Sequence, residues 1–171
     1  LGLEYLKGDG PSIKRPIRSA RNVNSLSDIN PDESLYFVYD AIKQTRKALK
    51  PNIPLIGFAG APFTLASYMI EGGGSDDFTL TKKFMLSDET SWQILLDKIV
   101  SATVKYLNSQ IEAGAQAVQL FDSWVGKLTP EEYKKYAMPY SKKIFKGLKP
   151  GVPTIHFGTN TGGFLDLMSQ T

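Results

Sequence analysis

The sequence predicts an α/β fold built around a parallel sheet. Three short apolar segments, at residues 55–59, 115–121 and 152–157, are bounded by Pro, Gly or polar residues and have the composition of buried strands. Helical patterns separate these strands, and strands joined through helices form parallel sheets with right-handed crossovers. The pattern alone leaves two architectures open, because a closed (β/α)₈ barrel takes about 250 residues. The chain is either a small open α/β domain or part of a larger barrel.

Composition narrows the class of protein. The 171 residues are 42% hydrophobic and carry a net charge of only +3, which suits one domain with a core. There is no Cys, which excludes disulfides and thiolate metal sites and favours a cytoplasmic setting. No apolar run approaches the ~20 residues of a membrane span, and no signal peptide or nucleic-acid motif is visible. We expect no membrane and no nucleic-acid partner.

The first half of the chain contains the clearest start and stop signals. Residues 8–31, rich in Gly, Pro, Ser and Asn, predict an extended loop with short turns. A helix with a capping box is predicted to start at Asn30 and to run to about Leu49. After the first strand, helices are predicted from Pro62 to about Glu71, over residues 79–86 and over residues 89–112. Gly114 is placed to end the last of these in the left-handed conformation.

The second half repeats the pattern. Thr129, Pro130 and Glu132 form a second capping box, which predicts a helix to about Lys146. Pro139 is expected to kink this helix, because proline lacks the backbone donor that a helix interior uses. After the third strand, a loop at residues 158–163 leads into a last helix at residues 164–170.

The residues that follow the predicted strands are the first candidates for a functional site. In parallel α/β folds, binding and catalytic groups lie beyond the carboxyl ends of the strands. Here those ends are residues 58–62, 121–124 and 156–159, and each leaves the sheet with small or polar residues. This arrangement favours the close approach of a ligand to backbone N–H groups.

Each candidate also has a purely structural interpretation. Gly60 can make the tight turn into the next helix, and Tyr68, two turns into that helix, can be a core aromatic residue. Asp122 and Ser123 can cap a local turn. His156 is the only histidine, and without Cys it cannot form a typical zinc site. We expect it to be a hydrogen-bonded residue at the end of its strand.

Six segments, in a fixed order, match signatures of a single enzyme family. They are residues 8–19, 54–65, 68–75, 114–126, Pro139-Tyr140 and residues 152–159. In these segments the chain resembles the uroporphyrinogen decarboxylases. The resemblance covers nearly the whole chain, so it is far more specific than one short pattern.

This resemblance implies a fold and an activity. The chain is expected to be a portion of a (β/α)₈ barrel, with residues 1–171 forming one partial domain of a homodimeric enzyme. The family removes CO₂ from the four acetate side chains of uroporphyrinogen and gives coproporphyrinogen, without a metal or organic cofactor. Uroporphyrinogen is therefore the implied substrate.

The resemblance also implies five site residues. Tyr68 and Ser123 correspond to polar residues that contact the substrate in the family. Phe58 and Phe121 correspond to apolar residues that line the pocket, and Gly60 corresponds to a strand-end glycine beside the cleft. No catalytic residue and no metal ligand is carried over to this chain.

Other family motifs do not occur in this sequence. They are an Arg-Gln-Ala-Gly-Arg motif, a strand with a central Asp expected just before Leu1, and a late motif with a catalytic His that differs from the motif of His156. We therefore expect that the chain is cut off at both ends and does not decarboxylate uroporphyrinogen by itself. Asn160, where the family commonly has Gly, predicts only a local change of its loop.

Two other functions remain open from the sequence. A corrinoid-linked or cobalamin-independent methyltransferase of related fold would need a zinc ion held by His and Cys, and the absence of Cys argues against it. A non-catalytic tetrapyrrole-binding α/β module would bind the macrocycle without turnover. The flanking sequence would distinguish these functions from the decarboxylase.

Overall fold

The computed structural model describes residues 1–6 and 10–171, along which five strands are found. The strands are β1 (Leu3–Leu6), β2 (Gly10–Ile13), β3 (Ile56–Gly60), β4 (Ala117–Asp122) and β5 (Thr154–Gly158). The α-helices are α1 (Ala20–Asn24), α2 (Pro31–Ser34), α3 (Tyr36–Ala48), α4 (Pro62–Glu71), α5 (Thr79–Ser87), α6 (Glu89–Ala113), α7 (Pro130–Tyr136), α8 (Met138–Gly147) and α9 (Leu165–Met168). Short 3₁₀ turns cover Val125–Lys127 and Gly162–Phe164.

The main sheet contains the three predicted strands. Strands β3, β4 and β5 lie side by side in that order, and both pairs are parallel. Helices α4 to α6 connect the first pair, and α7 and α8 connect the second. The predicted α/β class with a parallel sheet is confirmed, and each strand begins one or two residues later than predicted.

The prediction of an extended loop over residues 8–31 was wrong, although residues 8 and 9 lie outside the described residues. Strand β2 pairs with β1 as an antiparallel hairpin, and α1 follows it, with the Ser19 side chain accepting a bond from the Asn22 backbone. The segment is also held by α4: the backbone N–H of Ile13 donates to Gly72 O at 2.7 Å, and that of Ile17 donates to Met69 O at 2.8 Å. These are tertiary contacts, which local composition does not encode.

The predicted helix from Asn30 to Leu49 is two helices. The backbone leaves the helical conformation at Leu35 (φ −126°, ψ 19°), which separates α2 from α3. The expected capping box does not form there, since Asn30 Nδ2 donates to Glu33 Oε1 at 2.8 Å and its oxygen receives no backbone N–H. Because the backbone leaves the helical conformation at Leu35, the four residues of α2 form a single turn.

The capping box at Thr129 is confirmed. Thr129 Oγ1 accepts from the Glu132 N–H at 3.2 Å, and Glu132 Oε2 accepts from the Thr129 N–H at 2.8 Å. The helix that it starts ends at Tyr136, and a second helix begins at Met138. Pro139 therefore lies in the first turn of α8, where its missing donor costs nothing, and the expected kink is a full break.

Helix α6 forms the centre of the core. Its 25 residues pack against β3, α3, α4 and α8. Four of its side chains are completely buried: Trp92, Leu95, Leu96 and Leu107. Gly114 ends the helix at φ +115°, as predicted, in a region that favours glycine.

The side-chain amide of Gln110 joins α6 to the edge of β3 that has no neighbouring strand among the described residues. The buried Gln110 accepts from the Phe58 N–H at 3.0 Å and donates to the Phe58 carbonyl at 2.9 Å. A Cβ at Gly57 would lie 2.7 Å from Gln110 Oε1, so this approach requires glycine. These two hydrogen bonds satisfy the backbone N–H and carbonyl groups of Phe58, and they fix the position of α6 along the strand direction.

No helix in residues 1–6 and 10–171 combines the length and the hydropathy needed to cross a membrane.

Replacement of Gln110 by Leu should destabilise the chain by about 1–3 kcal/mol, because both backbone groups of Phe58 lose their partner. Gln93, exposed on the same helix, provides the control, since Gln93→Ala should change the free energy of unfolding by less than about 0.5 kcal/mol. Urea unfolding of the two variants measures the difference. Equal stability of Gln110→Leu and the unchanged chain would contradict this role.

Candidate active-site wall

The two faces of the main sheet differ in what covers them. Side chains along a strand point to alternate faces. In β4, Val118, Leu120 and Asp122 are buried against the helices, whereas Gln119 and Phe121 point to the opposite face. Among the described residues, no helix covers that opposite face, which we call the open face.

An aromatic row crosses the open face from strand to strand. The ring centroids of Phe58 and Phe121 are 5.7 Å apart, and those of Phe121 and Phe157 are 5.3 Å apart, both in edge-to-face contact. Phe58 is 60% exposed and Phe157 is 39% exposed. The row makes a continuous apolar wall near the carboxyl ends of the three strands, and such a surface suits a flat, apolar ligand.

Phe157 is part of this wall but was not among the residues predicted for the site. It is the register partner of Phe121 on the neighbouring strand. The period-two alternation could have found it, because Phe157 follows His156 and must leave the strand on the other face.

Tyr68 and Ser123 both lie at the carboxyl end of the sheet. Tyr68 projects from α4 with 45% of its surface exposed, and its ring meets the Trp124 ring edge-on at 6.1 Å. Ser123 follows β4 directly and is half-buried, and its carbonyl accepts a hydrogen bond from the Thr159 hydroxyl. Neither residue is buried beneath the outer helices. Their part in substrate binding stays a prediction.

Gly60 lies where β3 turns into α4. A Cβ at this position would meet Leu65 Cδ2 at 2.7 Å and Leu65 Cγ at 2.9 Å. The absence of a side chain therefore lets the first turn of α4 lie close over the end of the strand. This close approach is the structural interpretation of Gly60, and its place beside the substrate cleft stays a prediction.

The loops after β4 and β5 pack backbone against backbone. A Cβ at Gly126 would overlap the carbonyl oxygen of Thr159 and would lie 2.8 Å from Asn160 Cβ, so only glycine fits there. Asn160 adopts φ +54°, a left-handed conformation that Asn tolerates better than most residues. A Gly would adopt the same conformation without strain, in line with the expectation of only a local effect.

Gly126→Ala should therefore separate the two loops, since an added methyl group cannot be accommodated against the Thr159 carbonyl oxygen. We expect a loss of about 1–3 kcal/mol in the free energy of unfolding. Gly163→Ala is the matched control, because no heavy atom beyond its chain neighbours lies within 4 Å of the position that its added methyl group would take. If Gly126→Ala unfolds at the same urea concentration as Gly163→Ala, the contact between the loops is not tight.

His156 points away from the aromatic row. Its Nδ1 lies 3.0 Å from Thr171 Oγ1, and its ring meets Phe145 of α8 at 5.3 Å. Its Nε2 lies 3.8 Å from Asp122 Oδ2, which is longer than a hydrogen bond. The expectation of a hydrogen-bonded histidine at the strand end is confirmed, and its ring belongs to the helix side of the sheet.

Two buried polar groups surround Asp122. Asp122 Oδ1 accepts from Thr64 Oγ1 at 3.0 Å. Burial raises the pKa of Tyr133 well above its usual range, and the charge of Asp122 raises it further. Tyr133 therefore remains a neutral phenol at physiological pH.

In the part of the chain that the structure describes, the wall has no arginine side chain and no metal-binding cluster. Arg18 donates to the carbonyls of Ile70 and Glu71 at the end of α4, and Arg46 donates to Ile53 O and Gln116 Oε1 at the amino end of the sheet. Within the described residues, no three His, Asp or Glu side chains are grouped as a metal site. The wall supplies apolar surface and hydroxyl groups.

Comparison with known proteins identifies relatives of the whole chain. The family profile described as uroporphyrinogen decarboxylase (URO-D) matches residues 1–171. A uroporphyrinogen decarboxylase of Carboxydothermus hydrogenoformans is 49% identical over 170 residues, which are 99% of this chain and 49% of that protein. One from Thermus thermophilus is 44% identical over 169 residues, again 49% of its length. The chain thus spans about half the length of the curated relatives it matches.

A solved structure supports the fold. A methyltransferase from Methanosarcina mazei superposes with a TM-score of 0.75 over 98% of this chain and 49% of its own, at 17% sequence identity. At that identity the likeness concerns the fold alone. Together with the parallel order of β3, β4 and β5, it confirms the expected portion of a (β/α)₈ barrel.

Proposed function

This chain belongs to the uroporphyrinogen decarboxylase family, and we propose that the complete protein removes CO₂ from the four acetate side chains of uroporphyrinogen. The product is coproporphyrinogen. The match of the family to all 171 residues carries this proposal. Residues 1–171 are one part of a single barrel domain, and they contribute a wall of its cleft.

The aromatic row supplies the surface on which the macrocycle rests. A tetrapyrrole is broad, and the faces of its pyrrole rings and its methylene bridges are apolar. The rings of Phe58, Phe121 and Phe157 present a continuous apolar strip across three strands. Tyr68 and Ser123 lie beside the strip, so their hydroxyl groups can bond to polar substituents at the rim of the macrocycle. Apolar contact then holds the ring while the hydroxyl groups set its orientation.

The reaction needs groups that this wall does not contain. Protonation of a pyrrole carbon makes the ring an electron sink for the departing carboxylate, and a carboxylate facing the pyrrole N–H groups stabilises the cationic intermediate. Arginine side chains suit the peripheral carboxylates, because they bind them bidentately. On the open face of β3 to β5, the described residues include neither an acid nor an arginine. The charged groups come from other segments of the barrel.

We extend the proposal to the setting of the enzyme. The complete protein works as a cytoplasmic homodimer on uroporphyrinogen, without a metal or organic cofactor. The absence of Cys supports a reducing compartment, and the family supports the rest.

A methyltransferase is the second candidate, because a methyltransferase shares this fold. Such an enzyme would need a zinc ion bound by thiolates, and the chain has no Cys. A non-catalytic tetrapyrrole-binding protein is the third. A decarboxylation assay on the complete protein separates the decarboxylase from the other two, since only the decarboxylase converts uroporphyrinogen to coproporphyrinogen. Binding of the macrocycle without turnover would favour the third candidate.

Loss of either hydroxyl group should weaken the proposed enzyme. In the complete protein, Ser123→Ala and Tyr68→Phe should each lower kcat/KM by about 3- to 10-fold, the value of one neutral hydrogen bond. Ser87→Ala and Tyr36→Phe, at exposed positions on α5 and α3, are the matched controls. Chromatography of the oxidised porphyrin products measures the rates. Unchanged kcat/KM in both site variants would remove these residues from the proposed cleft.

The 171-residue chain alone should be inactive and should self-associate. Its open face exposes Phe58, Ile56, Ile155 and Phe157, and exposed apolar surface of this kind drives association. Light scattering should therefore give a mass above the 18.9 kDa of one chain. A stable monomer would contradict the predicted association, and normal turnover would contradict the need for charged groups from other segments.

A further inference from the structure

Asp122 is a buried carboxylate on the helix side of the sheet. It ends β4, has no exposed surface and immediately precedes Ser123. Only Oδ1 is hydrogen-bonded within the described residues, to the Thr64 hydroxyl at 3.0 Å. Burial of a charge is costly unless it is compensated, so its presence beside the proposed cleft requires an explanation.

Thr64 links this carboxylate to the turn after β4. Its hydroxyl donates to Asp122 Oδ1 and accepts from the backbone N–H of Trp124 at 3.2 Å. Thr64 belongs to the first turn of α4, so one side chain connects the start of that helix to both sides of Ser123. The hydroxyl is used once as a donor and once as an acceptor, which fixes its orientation.

The same link reaches Tyr68. Residues four apart lie on one face of a helix, so Tyr68 follows Thr64 one turn later along α4. Its ring meets the ring of Trp124, whose backbone Thr64 holds. Two contacts therefore join α4, which contains Tyr68, to the turn that contains Ser123. One is the hydrogen bond between Thr64 and the Trp124 backbone, and the other is the contact between the Tyr68 and Trp124 rings.

His156 lies on the other side of the carboxylate. Its Nε2 is 3.8 Å from Asp122 Oδ2, and both atoms are buried without a hydrogen-bond partner among the described residues. Thr171 and Phe145 hold the imidazole ring in place. The carboxylate thus lies between a hydroxyl group of α4, to which it is hydrogen-bonded, and a ring of β5, to which it is not.

We infer that Asp122, through Thr64, is a positioning residue that sets the relative placement of Tyr68 and Ser123. The inference rests on the proposed function, because it assigns these two residues to one substrate cleft. Asp122 does not touch the substrate, since its side chain leaves β4 on the face opposite Phe121. It acts through the turn that follows it.

Thr64→Val tests the link most directly, because it keeps the shape of the side chain and removes both hydrogen bonds. In the complete protein, kcat/KM for uroporphyrinogen should fall on the order of 10- to 100-fold, the effect of a misplaced contact residue. Thr64→Ser keeps the hydroxyl and should stay within about two-fold of the unchanged enzyme. Ser67→Ala is the control, because this buried hydroxyl of α4 bonds only within its own helix, to Phe63 O at 2.8 Å.

Trp124 gives a readout that does not depend on activity. Of the two tryptophans in this chain, Trp92 is completely buried, so the change in acrylamide quenching between a Thr64 variant and the unchanged protein reports on Trp124. Thr64→Val should increase the quenching, whereas Thr64→Ser and Ser67→Ala should not. If the unchanged protein fails to decarboxylate uroporphyrinogen, the proposed function is wrong, and the quenching still decides whether Thr64 holds the turn.

Two results would overturn the inference. One is a folded Thr64→Val variant with normal kcat/KM and normal quenching. If this variant does not fold, Asp122→Asn decides, because the amide oxygen can still accept from Thr64 and activity should remain within about three-fold. The second is an Asp122→Asn variant that loses activity at least ten-fold with normal quenching, since Asp122 would then act by its charge.

Discussion

Two adjacent residues at the end of β4 face opposite sides of the sheet, and the rest of the site depends on this. Phe121 contributes to the aromatic row on the open face, and Asp122 is buried against the helices. Side chains along a strand must alternate, so a shift of one residue in register would bury the phenylalanine and expose the carboxylate to the cleft. The parallel pairing of Phe121 with Gly60 and Phe157 fixes that register on both sides.

The packing of the helices preserves this arrangement. Helix α6 holds β3 through the amide of Gln110, and α4 holds the end of β4 through the hydroxyl of Thr64. In each contact, one polar side chain of a helix satisfies hydrogen-bonding groups of a neighbouring strand. Each contact therefore requires the helix and the strand to lie close together.

Local signals predicted the strands and the helix ends at Gly114 and Thr129. These features depend on residues close together in the chain, so composition and spacing reveal them. Phe58 and Phe121 were assigned to the pocket by the family resemblance and not by a local pattern. The hairpin before α1 and the break at Leu35 depend on contacts with α4 or on backbone geometry, and they were missed. The bond between Thr64 and Asp122 joins residues 58 positions apart, which no local pattern specifies.

This chain has a limited task in the proposed enzyme, which is to provide an apolar wall and two hydroxyl groups for a tetrapyrrole. A crystal structure of the complete protein with coproporphyrinogen, grown without oxygen, measures this directly. We expect the macrocycle in van der Waals contact with Phe58, Phe121 and Phe157, and the hydroxyl groups of Tyr68 and Ser123 within hydrogen-bond distance of its substituents. A macrocycle bound elsewhere, with the aromatic row covered by other side chains of the protein, would contradict this assignment.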